Sequence, residues 1–137
     1  MILTNIRDYL VALGLVEGAT GWKCYAGIMP DDQDQTIGIF ETGGYPADTL
    51  GRENLRLTFQ VRVRGRRLDY AVARAKWQEL FDALQDAQSG LVGSPDPLEG
   101  YAFIQVLSQG PLHFNDANGR PNLTSNWRVM KSRTVNV

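Results

Sequence analysis

The residues of this chain that could do chemistry are few and scattered. His113 is its single histidine and Cys24 its single cysteine. Covalent catalysis by serine or cysteine needs a base beside the nucleophile, and His113 falls in a stretch that reads as loop or short strand, where a solvent-exposed or structurally bonded role fits better. One cysteine and one histidine do not make the nitrogen and sulfur ligand set of zinc. Asp31, Asp32 and Asp34 could offer oxygen to calcium, but the glycine and closing glutamate of a calcium loop are missing at their offsets, which leaves a solvated turn. Asp116-Ala117-Asn118-Gly119 reads the same way, because Asn-Gly is tight-turn chemistry. Gly43 and Gly44 lack the lysine and hydroxyl residue that complete a phosphate loop. The reading is therefore no catalytic residue, no metal and no cofactor; only carboxylates brought together by folding stay open as a route to catalysis.

One cluster stands apart. Arg52, Arg56, Arg62, Arg64, Arg66 and Arg67 crowd a short stretch. Alternate residues Arg62 and Arg64 share one side of a strand, and Arg66 and Arg67 continue from it. Such a stripe suits a nucleic-acid backbone, an acidic protein partner or simply a polar sheet face. Binding of single strands also wants aromatic rings between the cations, and the residues interleaved on that face are Thr58 and Gln60.

The elements that must position these residues follow from periodicity. Thr4 can cap a helix over about Asn5 to Leu13, in which Ile6, Tyr9, Leu10 and Leu13 recur at helical spacing and Gly14 takes the left-handed end. Trp22, Cys24, Ala26 and Ile28 alternate with Lys23, Tyr25 and Gly27; a turn at Met29 to Asp32 leads into an extended Thr36 to Glu41, which predicts a hairpin. Thr42 to Asn54 has glycines, a proline and no period, so it reads as a long surface loop with a task. Leu55, Leu57, Phe59, Val61 and Val63 then alternate unbroken against Arg56, Thr58, Gln60, Arg62 and Arg64. A slip of one residue would drive arginines into the core, so the register is fixed. Gly65 ends the strand. Asp69 caps a second helix with an apolar stripe of Tyr70, Ala73, Trp77, Leu80, Phe81 and Leu84, while Arg74, Lys76, Glu79, Asp82 and Asp86 occupy the rest. Ser89 to Gly100 reads as a linker, Tyr101 to Leu107 as a strand, Ser108 to Ser125 as a broken stretch with a short extended piece at Leu112 to Phe114, and Trp127 to Thr134 as a final strand. The sum is a single α+β domain over 1–137, a mostly antiparallel sheet of about five to six strands with both helices on one face.

Composition agrees. Hydrophobic residues make up 43% and charged residues 21%, values that support a packed core, and the formal charge of −1 gives no global pull toward nucleic acid or membrane. Tyr9 to Val16 is far shorter than the roughly 20 residues of a membrane span. Met1 to Arg7 lacks secretory features, which implies synthesis in the cytoplasm, and Cys24 suits a small buried thiol.

Phe59-Gln60-Val61-Arg62-Val63-Arg64-Gly65, followed by Tyr70 and the helix with Ala73, Ala75, Trp77 and Leu84, resembles the minor capsid and tail-terminator proteins of tailed bacteriophages. Tyr25-Ala26-Gly27-Ile28-Met29-Pro30 and Glu41-Thr42-Gly43-Gly44-Tyr45-Pro46 are similar to the strand and glycine-proline loop that precede the arginine strand in that group, so the resemblance spans about Trp22 to Leu84. It implies a structural virion protein, made in the host cytoplasm, that caps the tail tube as a ring of usually six copies and joins it to the neck. Its partners would be further copies of itself, the tail tube protein and a neck or head-completion protein, with genome DNA only passing through and no membrane. A ring needs two unlike surfaces per subunit. Arg62, Arg64, Arg66 and Arg67 could form one and Asp31, Asp32 and Asp34 the other, with Thr42, Gly43, Gly44, Tyr45 and Pro46 reaching a partner above or below. A head-completion or neck protein of the same virion and a small nucleic-acid-binding module are the alternatives.

Overall fold

The alternation at 57–63 is realised as a strand whose apolar side chains face the core. A computed structural model describes residues 2–43, 54–88, 90–91, 95–108 and 110–132. In chain order they form helix α1 (Ile2–Ala12), a 3₁₀ turn (Gly18–Thr20), strands β1 (Lys23–Ala26), β2 (Thr36–Glu41) and β3 (Asn54–Arg64), helix α2 (Tyr70–Leu84), and strands β4 (Tyr101–Val106), β5 (Leu112–Asn115) and β6 (Pro121–Ser132). The six strands make one sheet in the order β1-β2-β3-β6-β4, with β5 also paired to β6. This is the α+β, mostly antiparallel architecture that the sequence predicts.

Register places Val63 opposite Ile37 and Leu123, Val61 opposite Ile39 and Ser125, and Phe59 opposite Trp127. Those side chains share the inner face, and all are buried, the polar Ser125 included. Ile6, Tyr9 and Leu10 of α1 and Ala73, Trp77, Leu80 and Leu84 of α2 close the core over it. Each large apolar side chain so enclosed contributes about 1.5–3 kcal/mol. The helices are tied to each other as well, since the Tyr9 hydroxyl donates to the Ala83 carbonyl at 3.1 Å. Asp69 caps α2 by accepting from the Val72 amide at 3.4 Å, and Gly14 takes its left-handed turn at φ 73°.

Several expectations are corrected. Helix α1 begins at Ile2, before Thr4, because Ile2 and Leu3 are themselves core residues. In α2, Tyr70 leaves the apolar stripe and stands exposed against His113, while Lys76 enters the interior. Its ammonium is not stranded there: it donates to the Leu15 carbonyl at 2.9 Å and meets Glu79 at 2.8 Å. The turn at Asp116 to Gly119 stands, but the stretch 108–125 is not merely broken, since β6 starts at Pro121, ahead of the Trp127 that the sequence predicts. Proline is tolerated because the contact needed there is an acceptor, taken by the Gly65 amide at 2.9 Å. Gly65 itself lies so close to α2 that a Cβ would fall 2.8 Å from that of Ala73.

The largest correction concerns β1 and β2, which are parallel rather than a hairpin. Residues 27–35 therefore carry the chain back along the strands, in fewer than the dozen or so residues of an ordinary parallel crossover. They lie over the outer face, where the Met29 Cβ sits 3.2 Å from the place a Cβ of Gly38 would occupy.

One buried polar node sits in the core. Trp77 and Trp127 both donate their indole N–H to the Ser125 hydroxyl, at 3.1 and 2.9 Å. Ser125→Ala would leave both donors without an acceptor, and the cost expected is about 2–4 kcal/mol. Urea unfolding followed by tryptophan fluorescence measures it, and a change under about 0.5 kcal/mol would mean that the node is dispensable.

Candidate functional site

The outer face of the sheet collects the charged residues that alternation turns away from the helices. Register sets Arg62 in one row with Gly38 and Thr124, and Arg64 in the next with Thr36 and Asn122. Arg62 and Arg64 do share this side, but their surroundings differ entirely.

Arg64 is an internal fastener, only 4% exposed. Its Nε donates to the Gln33 carbonyl at 3.1 Å and its Nη2 to the same oxygen at 2.8 Å, with a further bond to the Pro30 carbonyl. Asp31 lies 3.9 Å away. The expectation that Arg64 turns outward to meet a neighbour is therefore corrected: the 27–35 segment folds over it and spends its donors within the chain. Burial first and the nearby Arg120 second pull the Arg64 guanidinium below its ordinary value, against Asp116, Asp31 and Asp34.

Arg120 completes the fastening. It donates to the Asp116 carboxylate from Nε at 2.9 Å and from Nη1 to the Gln33 carbonyl at 3.2 Å and to Asp34 at 3.4 Å. Burial pushes Asp116 up, yet hydrogen bonds from the Arg120 amide, the Arg120 guanidinium and the Asn118 amide outweigh it and hold the carboxyl below the ordinary carboxylate range. Arg120 and Gln33 carry no weight in the sequence reading, and Asp116 enters it only as part of a tight turn. The i,i+4 Asp-Arg pair astride Asn118-Gly119 was the available signal.

Arg62 is only half-buried. Its guanidinium lies 5.6 Å from the ring centroids of both Phe40 and Phe114. The Nε of Arg62 is enclosed and has no hydrogen-bond partner among the described residues. Arg66 and Arg67 are exposed; Arg66 reaches Gln35 at 3.5 Å, and Arg67 lies alongside Gly119 at the rim of an open cleft shared with Asp34, Asp116 and Arg120. Asp31 and Asp32 are exposed on the turn.

Thus the structure brings Arg64, Asp31 and Asp34 together, and leaves Arg62, Arg66, Arg67 and Asp32 facing outward. Thr42 is bonded to Thr58 through their hydroxyls at 2.6 Å, and Gly43 follows at φ 91°. Gly44, Tyr45 and Pro46 lie outside the described residues. Cys24 is buried, which pushes its thiol up to about 12, with Arg7 opposing and Glu17 adding to the effect. Among the described residues no three of histidine, cysteine, aspartate and glutamate gather as a metal site, and no helix is long and apolar enough to cross a membrane.

Residues 9–106 match the family model described as bacteriophage tail terminator protein. No curated protein matches the chain.

The Asp116 contacts make stability depend on pH with a defined sign. A carboxyl held below its ordinary pKa of about 3.9 adds stability above that value and loses it as pH falls through the lower, folded value. Asp116→Asn should therefore unfold at lower denaturant than the parent at pH 7, by about 1–3 kcal/mol, and the two should converge as pH falls through the lowered, folded value. Parallel denaturation series at several pH values check this; a gap that persists undiminished in acid would contradict it.

Proposed function

From the premise that the chain belongs to the bacteriophage tail terminator family, we propose that it caps the tail tube as a closed ring, of six copies, and joins the tube to the neck. The family is a structural one, and the chain is accordingly read as a structural virion protein. The observation that carries the finer reading is Arg62, a cation on the outer face whose enclosed Nε has no partner within the described residues. Enclosure keeps that Nε from an outside partner, and the rest of the guanidinium, half-buried on the outer face, is the part that can take a carboxylate from a neighbouring copy. Arg66 and Arg67 extend the same positive surface, and Asp32 with Asp31 supplies negative charge on the 27–35 segment. Unlike surfaces of this sort let copies meet head to tail and close by rotation. Arg64 adds to this indirectly, by holding the segment that presents Asp31 and Asp32. Further copies of itself, the tail tube protein and a neck or head-completion protein are the partners in this reading, with DNA passing through.

Arg62→Glu combined with Arg67→Glu tests it. Both side chains reach the surface, so the folded chain should survive, while its recovery on tails, seen by immunogold electron microscopy at the junction with the head, should fall about tenfold or more. Unchanged recovery at the junction would remove the charged face from the proposal.

A second reading gains one observation, that folding brings Phe40 and Phe114 beside Arg62 although no aromatic residue interleaves in the sequence. Cation and rings together suit a single strand of nucleic acid. The guanidinium, however, already lies against both rings that bases would use. This reading requires affinity for single-stranded DNA that falls steeply with salt, and a flat or absent salt response in a titration dismisses it.

A further inference from the structure

A sheet exposes unpaired main-chain groups at its edges, and soluble proteins cover or block them. Here β6 is paired on both sides, so among the described residues the edges are those of β1, β4 and β5. The first is capped at its middle and the second is lined by other chain. At β1, the outward amide of Cys24 donates to the Glu17 carboxylate at 2.9 Å and its carbonyl accepts from Arg7 Nε at 3.0 Å. Glu17 and Arg7 thus act as a side-chain cap on that edge. At β4, the chain just beyond α2 runs alongside: the Asp86 amide donates to the Ile104 carbonyl at 2.8 Å, the Ile104 amide to the Ala87 carbonyl at 3.3 Å, and the Val106 amide to the Gln85 side chain at 3.2 Å.

Strand β5 has neither device. All four of its residues are exposed. The Asp116 amide bonds the Arg120 carbonyl at 3.0 Å and starts the ladder, so Phe114 and Leu112 point their main-chain groups at β6, while those of His113 and Asn115 point outward. Among the described residues nothing accepts from or donates to those outward groups. The side chains beside this edge are apolar and open: Leu112 is 71% exposed and Phe114 40% on the outer face, with Leu68, 85% exposed, and Tyr70 toward the helix side. A bare edge flanked by exposed apolar side chains is the arrangement that binds an added strand.

The geometry points to β5 as a docking edge for an extended strand of a different protein, apolar at alternate positions and carrying a carboxylate. Two arguments select that occupant. A second copy would have to offer either its own β5, which sets Arg62 and Arg67 against their like, or the edge of β1, half closed by Glu17 and Arg7. Charge supplies the second: Arg62 stands over the Phe114 ring with its Nε unpaired, and Arg67 borders the turn that follows β5. An incoming strand that covers Leu112 and Phe114 therefore meets cations. The inference rests on the terminator reading only in expecting the donor to be a tail or neck protein.

The test is a photo-crosslinking residue in place of Leu112, in the full chain assembled into virions, with adducts mapped by mass spectrometry. The expected adduct joins a different virion protein through an extended, carboxylate-bearing segment. Asn115→Pro removes one outward amide and leaves the bonds to β6 in place; Phe114→Glu puts a like charge in the way of the incoming carboxylate without touching the backbone. Each should lower the adduct about tenfold or more while the unfolding midpoint of the isolated chain holds. An adduct of the chain with its own copy, an adduct undiminished in both variants, or none in particles that contain the protein would overturn the inference. Immunogold position separates the two proposals. A strand-like adduct in particles where the protein is absent from the head-tail junction upholds the docking edge and sinks the terminator role, and the reverse pattern does the opposite.

Discussion

The capture of a few carbonyl oxygens by two buried guanidinium groups decides how this sheet is covered. Because β1 and β2 run parallel, residues 27–35 must return across the outer face without a ladder partner of their own. Main-chain carbonyls laid against a sheet and away from water need donors. Arg64 and Arg120 provide them, converging on the Gln33 oxygen from the end of β3 and from the turn that precedes β6. Two cations at one site repel, and Asp116, Asp34 and Asp31 offset that repulsion. Thr36 adds a hydroxyl bond to the Gln33 and Asp34 carbonyls, 3.2 Å to each. The acidic turn is thus held from beneath, and its outermost carboxylates are displayed by a rigid mount.

Much of this was legible in the sequence. A long unbroken alternation leaves only one register that keeps arginine out of the core, and a capped helix with one apolar stripe has only one face to bury. The family resemblance rested on those same elements. What alternation does not carry is strand direction: Lys23 to Ala26 would read identically in a hairpin, and only the tertiary arrangement makes it parallel to β2. Nor does it say what covers a face. Arg62 and Arg64 have the same period and the same residue type, and one is enclosed solely because a loop distant in sequence crosses it. Gly119 and Pro121 read as breakers because propensity is a local statement, whereas the turn and strand they join are held by Gly65 and Asp116. Lys76 misled for a similar reason, since a long aliphatic stem can lie in a core while its ammonium finds a carbonyl.

The other edges show how main chain can be protected. One pair of side chains takes both outward groups of Cys24 at the middle of a four-residue strand, and one short run of chain serves β4. Against that background the exposed β5 is a departure from the chain's own practice. The same contrast holds for Arg62, whose neighbours on the outer face are otherwise well supplied with partners. Both departures lie on the β6 side of the outer face, bridged by the Phe114 ring.

The placement of β6 also governs how the molecule comes into being. This strand, 12 residues long, is the partner of β3, β4 and β5 alike, so three strands wait on residues 121–132. Phe59 finds Trp127 and Val63 finds Leu123 across some sixty residues of intervening chain. Until residues 121–132 are available the arginine strand has a mate on one side only, and its long-range pairing can close only when β6 arrives.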